Sequence, residues 1–563
     1  MKKYYTLTAL IAFISLSTGF SQGTFSNINA NIFQASCTAG CHNSTTLAGN
    51  LDLSGTDAQV YANIVGVTST NTQAQTLNLK RISAGYPERS FLLRKVKNTL
   101  DSTLQLSFLG ADATHNFLTK PQAELIRQWI LFGAPDTGIV VNEQLLTDYY
   151  TNGMGLASLP SPPTPSDEGL QGFQMRVGPI FLAPGEEKEF FKKYETGLSA
   201  AVEIYKTKAN IATQSHHLIL LNTDTSYAST FPQGLQLLTG LPDAFSIHFN
   251  SQQVATWQFS REETLPAGTA YKWKAGAVLF ENYHIVNYST DSILAAEAYI
   301  NVYSHPAGTG AQTMFSELFM YGEPNNPFLL NIPNTGQPVT KSFKVDSADL
   351  SPYYNHPAGL TFNFWILQAH THKLATAFNM YLRNPDGSKG QRVYDGNYNT
   401  EYTALQGYYD FSHPPVEHFP SFLPVNMDNG LLFEATWVNN TSTDVGFGLT
   451  THDEMFIGYV QFTVTLPSGI DSKNATESVL HVYPNPASDV LNISFDEKGK
   501  SMPVMLEIDD LLGNRIYALE DKTAENMLYR KQLWLKELKL STGLYLLKVT
   551  KGDYSYTKKL LID

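Results

Sequence analysis

Hydrophobic and polar positions keep no single rhythm along the chain, and each change of rhythm marks a different kind of element. An apolar run from Leu7 to Leu16 stands behind Lys2 and Lys3 and closes with Ser17, Thr18, Gly19, Phe20 and Ser21. That layout is a secretory signal peptide over residues 1–21, cleaved just after Ser21. The run is too short and too interrupted by Ser and Thr to anchor in a bilayer, and no later stretch reaches about 18 uninterrupted apolar residues. From Thr119 to Gly133 the apolar positions recur at helical spacing, with a glycine at the end, so residues 22–150 are expected to form a small helical domain. Four prolines between Leu159 and Asp167 cannot continue a helix and predict an extended linker over 151–168. Beyond it the period becomes two, as in Ala201–Tyr205 and Ala296–Tyr303, which predicts a long region of short strands. No repeat of fixed short period is present.

Length and composition agree with several cores. At 100 to 200 residues per domain, 563 residues imply roughly three to five units. With 38 Lys+Arg against 51 Asp+Glu the formal charge is −13, so there is no basic excess to neutralise phosphates and no nucleic-acid partner is expected. The only cysteines, Cys37 and Cys41, are four residues apart, so no disulfide framework can staple the other domains together.

Those two cysteines are followed at once by His42. Two thiols one helical turn apart can add to the two vinyl groups of haem, and the next imidazole can supply the proximal iron ligand. The spacing here, C-x-x-x-C-H, is one residue longer than the usual C-x-x-C-H. No Met lies between Cys41 and Trp129 to serve as a distal ligand, which leaves His115 or an open sixth position. A local disulfide with an idle His42 is the alternative.

The second constellation is spread over the β region. His370-Thr371-His372 follows the apolar run Phe362–Gln368, and on a strand residues i and i+2 share a face, so both rings emerge together. His216 and His217 are immediate neighbours before Leu218–Leu221, so they can share a metal only at a strand end or bulge. His284 stands alone in Glu281–Asn287, and Met455 follows the acidic turn Thr451-His-Asp-Glu. Imidazoles suit copper or zinc, whereas a thioether is a poor zinc ligand and a good Cu(I) ligand. Zinc hydrolysis would also want a carboxylate base, and Glu454 faces away from Met455 on a regular strand. The remaining His248, His305, His356, His413, His418 and His452 read as surface or loop residues, with His452 closest to the site.

Three resemblances follow from these residues. The Cys37–His42 motif with Gly49–Ser54, Ala84–Leu93 and Gln128–Ala134 resembles a small cytochrome c domain, which implies haem c on Cys37, Cys41 and His42. The order of the HH pair, the single His, the HxH pair and the Met, with the flanking runs Val438–Asn440 and Gly446–Met455, resembles the type II copper monooxygenases. That likeness implies two consecutive jelly-roll β-sandwich copper domains, at 169–310 and 311–466. By it, His216, His217 and His284 would hold an electron-transfer copper, and His370, His372 and Met455 an oxygen-activating copper. The disulfides of that family have no counterpart after Cys41. His481–Ile493 with its Tyr-Pro-Asn-Pro, Asp510–Arg515, Leu540–Val549 and the Lys558-Lys559 terminus resemble a type IX secretion C-terminal sorting domain, a small β-sandwich over 478–563.

The sequence thus predicts a multidomain, mainly β protein with a small α-helical domain, exported through the periplasm of a Gram-negative bacterium to the surface or medium. Expected partners are a small-molecule or peptide substrate, O2, an electron donor and the type IX secretion machinery. The alternative is a non-catalytic surface protein that binds copper, glycan or peptide.

Overall fold

The computed structural model describes residues 23–96, 118–212, 215–223, 225–238, 247, 251–321, 330–347, 359–397, 411, 414–465, 480–483, 487–488, 490–495, 502–510, 514–523, 529–538, 540–541, 543–551 and 554–562. The expected signal peptide, His115, His248, His356 and His413 lie outside them. The chain divides into two compact units, Met1–Thr147 and Asp148–Asp563.

The first unit is helical. Its elements are α1 (Thr24–Ile28), which runs on as a π-helical turn over Asn29–Gln34, α2 (Asp57–Ile64), α3 (Thr72–Thr76), α4 (Phe91–Lys95) and α5 (Lys120–Leu131). Capping boxes start two of them: Thr56 with Gln59 begins α2 and Thr119 with Gln122 begins α5, each satisfying two otherwise orphaned backbone donors. The helix expected over Thr119–Gly133 is α5, and it stops at Gly133, whose φ of +91° suits glycine. The apolar stripe of α5 packs on α1: the Trp129 ring stacks on Phe25 at 5.1 Å, and Tyr61 meets Phe25 edge-on at 5.3 Å.

The second unit is β throughout its major elements. A first sandwich comprises β1 (Gly172–Leu182), β2 (Glu187–Glu195), β3 (Val202–Ile211), β4 (Ser215–Thr223), β5 (Leu235–Leu237), β6 (Ser251–Trp257), β7 (Arg261–Thr264), β8 (Thr269–Trp273), β9 (Val278–Val286), β10 (Leu294–Pro306) and β11 (Gln312–Thr313). One sheet runs β1-β10-β3-β8-β11 with β7 on β3, and the other runs β5-β2-β9-β4-β6. A second sandwich comprises β12 (Phe315–Met320), β13 (Asn331–Ile332), β14 (Pro338–Val345), β15 (Thr361–Thr371), β16 (Ala375–Arg383), β17 (Lys389–Asp395), β18 (Val416–Asn426), β19 (Leu431–Val438), β20 (Val445–Gly446) and β21 (Phe456–Thr465). Its sheets run β12-β21-β15-β18 and β14-β19-β16-β17, with β13-β20 as a short extra pair.

Burial along the strands tells which sheets are covered twice. β19 alternates strictly between buried and half-buried positions, as a strand with one wet face does. β9 is buried at every position, so both of its faces are covered. The second sandwich is filled by Phe362, Phe364, Phe378, Phe433, Trp437, Phe456 and Phe462. Between the sandwiches the contact includes polar bonds: Tyr271 and Ser316 share a hydrogen bond of 3.1 Å, Ser316 Oγ donates to Val254 O at 2.8 Å, and Gln461 Nε2 donates to Glu263 at 3.2 Å.

The proline-rich stretch expected as a spacer packs along β1 and β10. Asn301 Nδ2 donates to Pro163 O at 2.8 Å and Gln174 Nε2 to Pro162 O at 3.2 Å. The side chains of those two strands thus supply donors to carbonyls that the prolines leave unpaired. The C-terminal strands β22 (His481–Tyr483), β23 (Val490–Phe495), β24 (Pro503–Asp509), β25 (Arg515–Lys522), β26 (Tyr529–Trp534), β27 (Gly543–Lys551) and β28 (Tyr554–Ile562) form sheets β22-β23-β26 and β25-β24-β27-β28 around a core of their own.

Candidate metal centre

Each histidine is placed by strand pairing. His370 and His372 stand two apart at the end of β15, and the pairing with β21 sets His370 against Ile457 and Thr371 against Phe456. Continued one position past the last pair, that register would set His372 opposite Met455, and direct cross-strand neighbours share a face. His370, His372 and Met455 are all buried. In the first sandwich β4 pairs with β9 so that His217 lies opposite His284, and the register is irregular between Ser215 and His217. That irregularity releases His216 from the alternation that would point it away from His217. Both rings then face His284, at centroid distances of 4.7 Å from His216 and 5.1 Å from His217.

The histidines of the two sandwiches meet. The ring of His216 is 5.6 Å from His370 and 5.2 Å from His372, and His217 is 5.6 Å from His370. One nitrogen each of His216, His217 and His370 lie within 4.8 Å of one another. Bonds of about 2.0–2.1 Å allow two nitrogens on one ion to be at most about 4.2 Å apart, so the rings need draw in only slightly to share an ion. The sequence reading gave the sandwiches one site each; the structure sets those sites face to face.

Hydrogen bonds on the outer side of the rings decide which nitrogens point inward. His284 Nε2 donates to Glu187 at 2.8 Å, His217 Nε2 to Asn282 Oδ1 at 3.2 Å, and His372 Nδ1 to the carbonyl of Asp453 at 3.1 Å. A carboxylate or carbonyl can only accept, so in neutral rings the opposite nitrogens keep their lone pairs, that of His217 facing His216 Nδ1 at 3.4 Å. His370 is held less firmly, with Gln258 Nε2 3.4 Å from its Nδ1. Among the described residues, His216 Nε2, His284 Nδ1 and His372 Nε2 are buried without a hydrogen-bond partner. Buried polar atoms are seldom left unsatisfied, and ligating imidazoles backed by carboxylates and carbonyls are the usual dress of a metal site. The side chains therefore fit a metal ion.

Electrostatics point the same way. Burial, reinforced by the neighbouring imidazoles, holds His216 and His370 well below the usual histidine range and brings His372 down to about 4. Neutral rings are the form that binds metal. Burial alone would raise Glu187 and Glu189, but hydrogen bonds outweigh it and hold both at about 2: His284 and Thr451 bond Glu187, and His217 and Asn282 bond Glu189. Glu454 is instead pushed up to about 7 by burial. Its carboxyl accepts from the backbone of His372 at 3.0 Å and Leu374 at 2.7 Å, and from Trp437 Nε1 at 3.0 Å. It thus pins the Met455 turn to the end of β15 and is not a free base.

Glu187, Glu189, Asn282 and Gln258 were not singled out by sequence reasoning. The signal for two of them was available, since Glu187 and Glu189 share one face of a strand by the same i, i+2 rule that picked out His370 and His372. The exposed His305, His418 and His452 are on the surface. In the helical unit both thiols are free, Cys37 half-buried and Cys41 exposed, and burial with the neighbouring Cys41 pushes Cys37 up to about 11. They stand in the turn after the first helical stretch, where Gly40 takes a φ of +87°, and His42 Nδ1 contacts the Ala48 carbonyl at 3.0 Å. A thiol turn followed by an imidazole fits covalent haem in residue type; the distal candidate His115 lies outside the described residues.

Among solved structures, the chain is similar to an endonuclease/exonuclease/phosphatase from Beutenbergia cavernae at 10% identity, covering 24% of this chain and 38% of that one, with a TM-score of 0.12. It is also similar to a β-glucuronidase from Ruminococcus gnavus at 10% identity, with 46% and 39% covered and a TM-score of 0.13. A β-1,2-glucanase from Parabacteroides distasonis gives 12% identity, 44% and 36% covered and a TM-score of 0.17. The chain spans about two-fifths of the length of these proteins, and at such TM-scores the likenesses carry no argument. No curated protein matches. Residues 481–563 match the family described as the secretion system C-terminal sorting domain. The chain therefore ends in a type IX sorting domain, and the protein is a secreted or cell-surface protein exported from a Gram-negative bacterium.

Proposed function

We propose that residues 169–466 form a copper-dependent monooxygenase that hydroxylates a C–H bond of a small molecule or peptide with O2. The observation that carries this reading is the convergence of five buried histidines from two sandwiches, three of them with an unpartnered ring nitrogen. His216, His217 and His284 would hold one ion and His370, His372 and Met455 a second beside it, with His370 close enough to the first to serve either. Copper at these positions supplies one-electron redox chemistry and the capacity to reduce O2. The chain's own residues orient it: Glu187, Glu189, Asn282 and the Asp453 carbonyl fix the tautomers of His284, His217 and His372. The thioether of Met455 favours the reduced ion over zinc. On the same reading the Cys37–His42 turn holds haem c and passes electrons from an external donor.

Purified mature protein should contain two copper ions and consume O2 only with a reductant present. His372→Ala or Met455→Ala should lower hydroxylation by at least about 100-fold while far-UV circular dichroism stays parental, since each removes a ligand and little core. Full turnover by Met455→Ala would remove that residue from the site, and a copper-free, redox-silent protein would end the proposal.

A further inference from the structure

The carboxylate of Glu187 stands where the two sandwiches touch beside the histidines. It belongs to β2 of the first sandwich, and its Oε1 accepts from His284 Nε2 at 2.8 Å. The same oxygen accepts the backbone N–H of Thr451 at 2.8 Å, and Oε2 accepts Thr451 Oγ1 at 2.9 Å. Thr451 lies in the turn that joins β20 to β21 and delivers Met455. Exposed His452 approaches the carboxylate only to 4.0 Å.

Resting on the reading of these histidines as metal ligands, we infer that Glu187 is a positioning residue that couples the two halves of the site: it fixes the His284 ring for metal and clamps the Met455 turn of the opposite sandwich. A carboxylate has lone pairs only, so it forces the proton of His284 onto Nε2 and leaves Nδ1 open towards the cluster. Its remaining lone pairs hold Thr451 through two donors, charge-assisted and half-buried, and charge-assisted bonds are the stronger kind. Glu189, two residues along the same face, supplies the comparison. It accepts from Asn282 Nδ2 at 2.8 Å and lies 3.4 Å from His217 Nε2, both within the first sandwich.

The two roles of Glu187 separate by substitution. Because Oε1 serves both His284 and the Thr451 N–H, Glu187→Gln with its amide oxygen at that place keeps both bonds and can donate from its nitrogen to Thr451 Oγ1, whereas Thr451→Ala removes only the Oγ1 bond of the clamp. Glu187→Ala loses both functions, and Glu189→Gln can disturb only Asn282 and His217, within the first sandwich. The test uses the full mature chain, with hydrogen exchange of the peptide over residues 447–455 measured without metal and Cu(I) affinity measured by chelator competition. Glu187→Ala should exchange about tenfold faster or more in that peptide, and its Cu(I) affinity should fall about 10- to 100-fold. Glu187→Gln should stay near the parent in both measurements, Thr451→Ala should exchange faster with a smaller loss of affinity than Glu187→Ala, and Glu189→Gln should lose affinity with near-parental exchange. Parental exchange in Glu187→Ala would overturn the clamp. Parental Cu(I) affinity in Glu187→Ala, with His284→Ala weakened, would overturn the tautomer role. If the parent itself failed to bind copper, the metal reading would fall, while the exchange data would still decide the clamp.

Discussion

At the scale of single residues, the centre shows a conflict that folding alone does not explain. A buried imidazole without a partner forfeits a hydrogen bond it had in water, at about 1–3 kcal/mol, and His216, His284 and His372 each carry such a nitrogen. On the proposed function, binding an ion would recover that loss. The same burial makes the metal-free protein acid-sensitive. The His372 ring titrates at about 4 in the folded chain and near 6.5 in the unfolded one, so between these values the unfolded chain takes up a proton that the folded ring refuses. Stability is then complete above about pH 6.5 and falls as the pH drops towards 4, by about 3 kcal/mol from this ring, with His216 and His370 acting in the same direction. Glu187 and Glu189, held at about 2, add a second loss below the ordinary carboxylate range. Urea midpoints of the metal-free protein should therefore decline from pH 7.5 to pH 5, and His372→Ala should flatten the slope. A midpoint that is constant over that interval would show that the rings are not buried neutral.

Individual elements differ in how much of the site they disclosed beforehand. The HxH pair on β15 was legible because two-residue periodicity fixes a shared face without knowledge of the partner strand. The HH pair on β4 was legible only conditionally, as a demand for an irregular register, and the register breaks between Ser215 and His217. What could not be read was which face of each sandwich the other would cover. Strand patterning reports burial and not the identity of the covering surface, so the ligand sets were assigned apart while the rings stand 5.2–5.6 Å from each other. The carboxylates of β2 escaped notice for the same reason, since their partners come from β9 and from a turn more than 260 residues downstream. Strand alignment also depends on one small residue. Gly458 on β21 pairs with Ala369, the neighbour of His370, and a Cβ there would run into the ring of Phe433, which is stacked on Phe343 at 4.7 Å. Gly458→Val should lower stability by about 1–3 kcal/mol through overpacking and shift the end of β15 enough to weaken metal retention. Thermal unfolding with metal analysis checks this, and an unchanged Tm would mean that the ring has room to retreat.

For the whole molecule, the division of labour follows from where each core closes. The candidate ligands lie in the two sandwiches between Gly172 and Thr465, whereas the sorting domain closes on its own residues, Val482, Leu491, Ile493, Leu506, Leu547 and Val549 among them. A domain with a separate core can be an address without shaping the chemistry of its passenger. The helical unit has its own core too, around Phe25 and Trp129, and carries both cysteines on its surface turn. Deleting residues 481–563 in the native host should therefore leave the histidine cluster intact and change only the destination. The truncated protein should accumulate in the periplasm, bind as much copper per chain as the full-length form and unfold at a similar temperature. Cell fractionation with immunoblotting locates the protein, and metal analysis of the two purified forms compares the sites. Normal appearance of the truncated chain at the surface or in the medium would show that export does not depend on the sorting domain. Loss of copper on truncation would show instead that this domain supports the sandwiches physically, and its role as address alone would have to be given up.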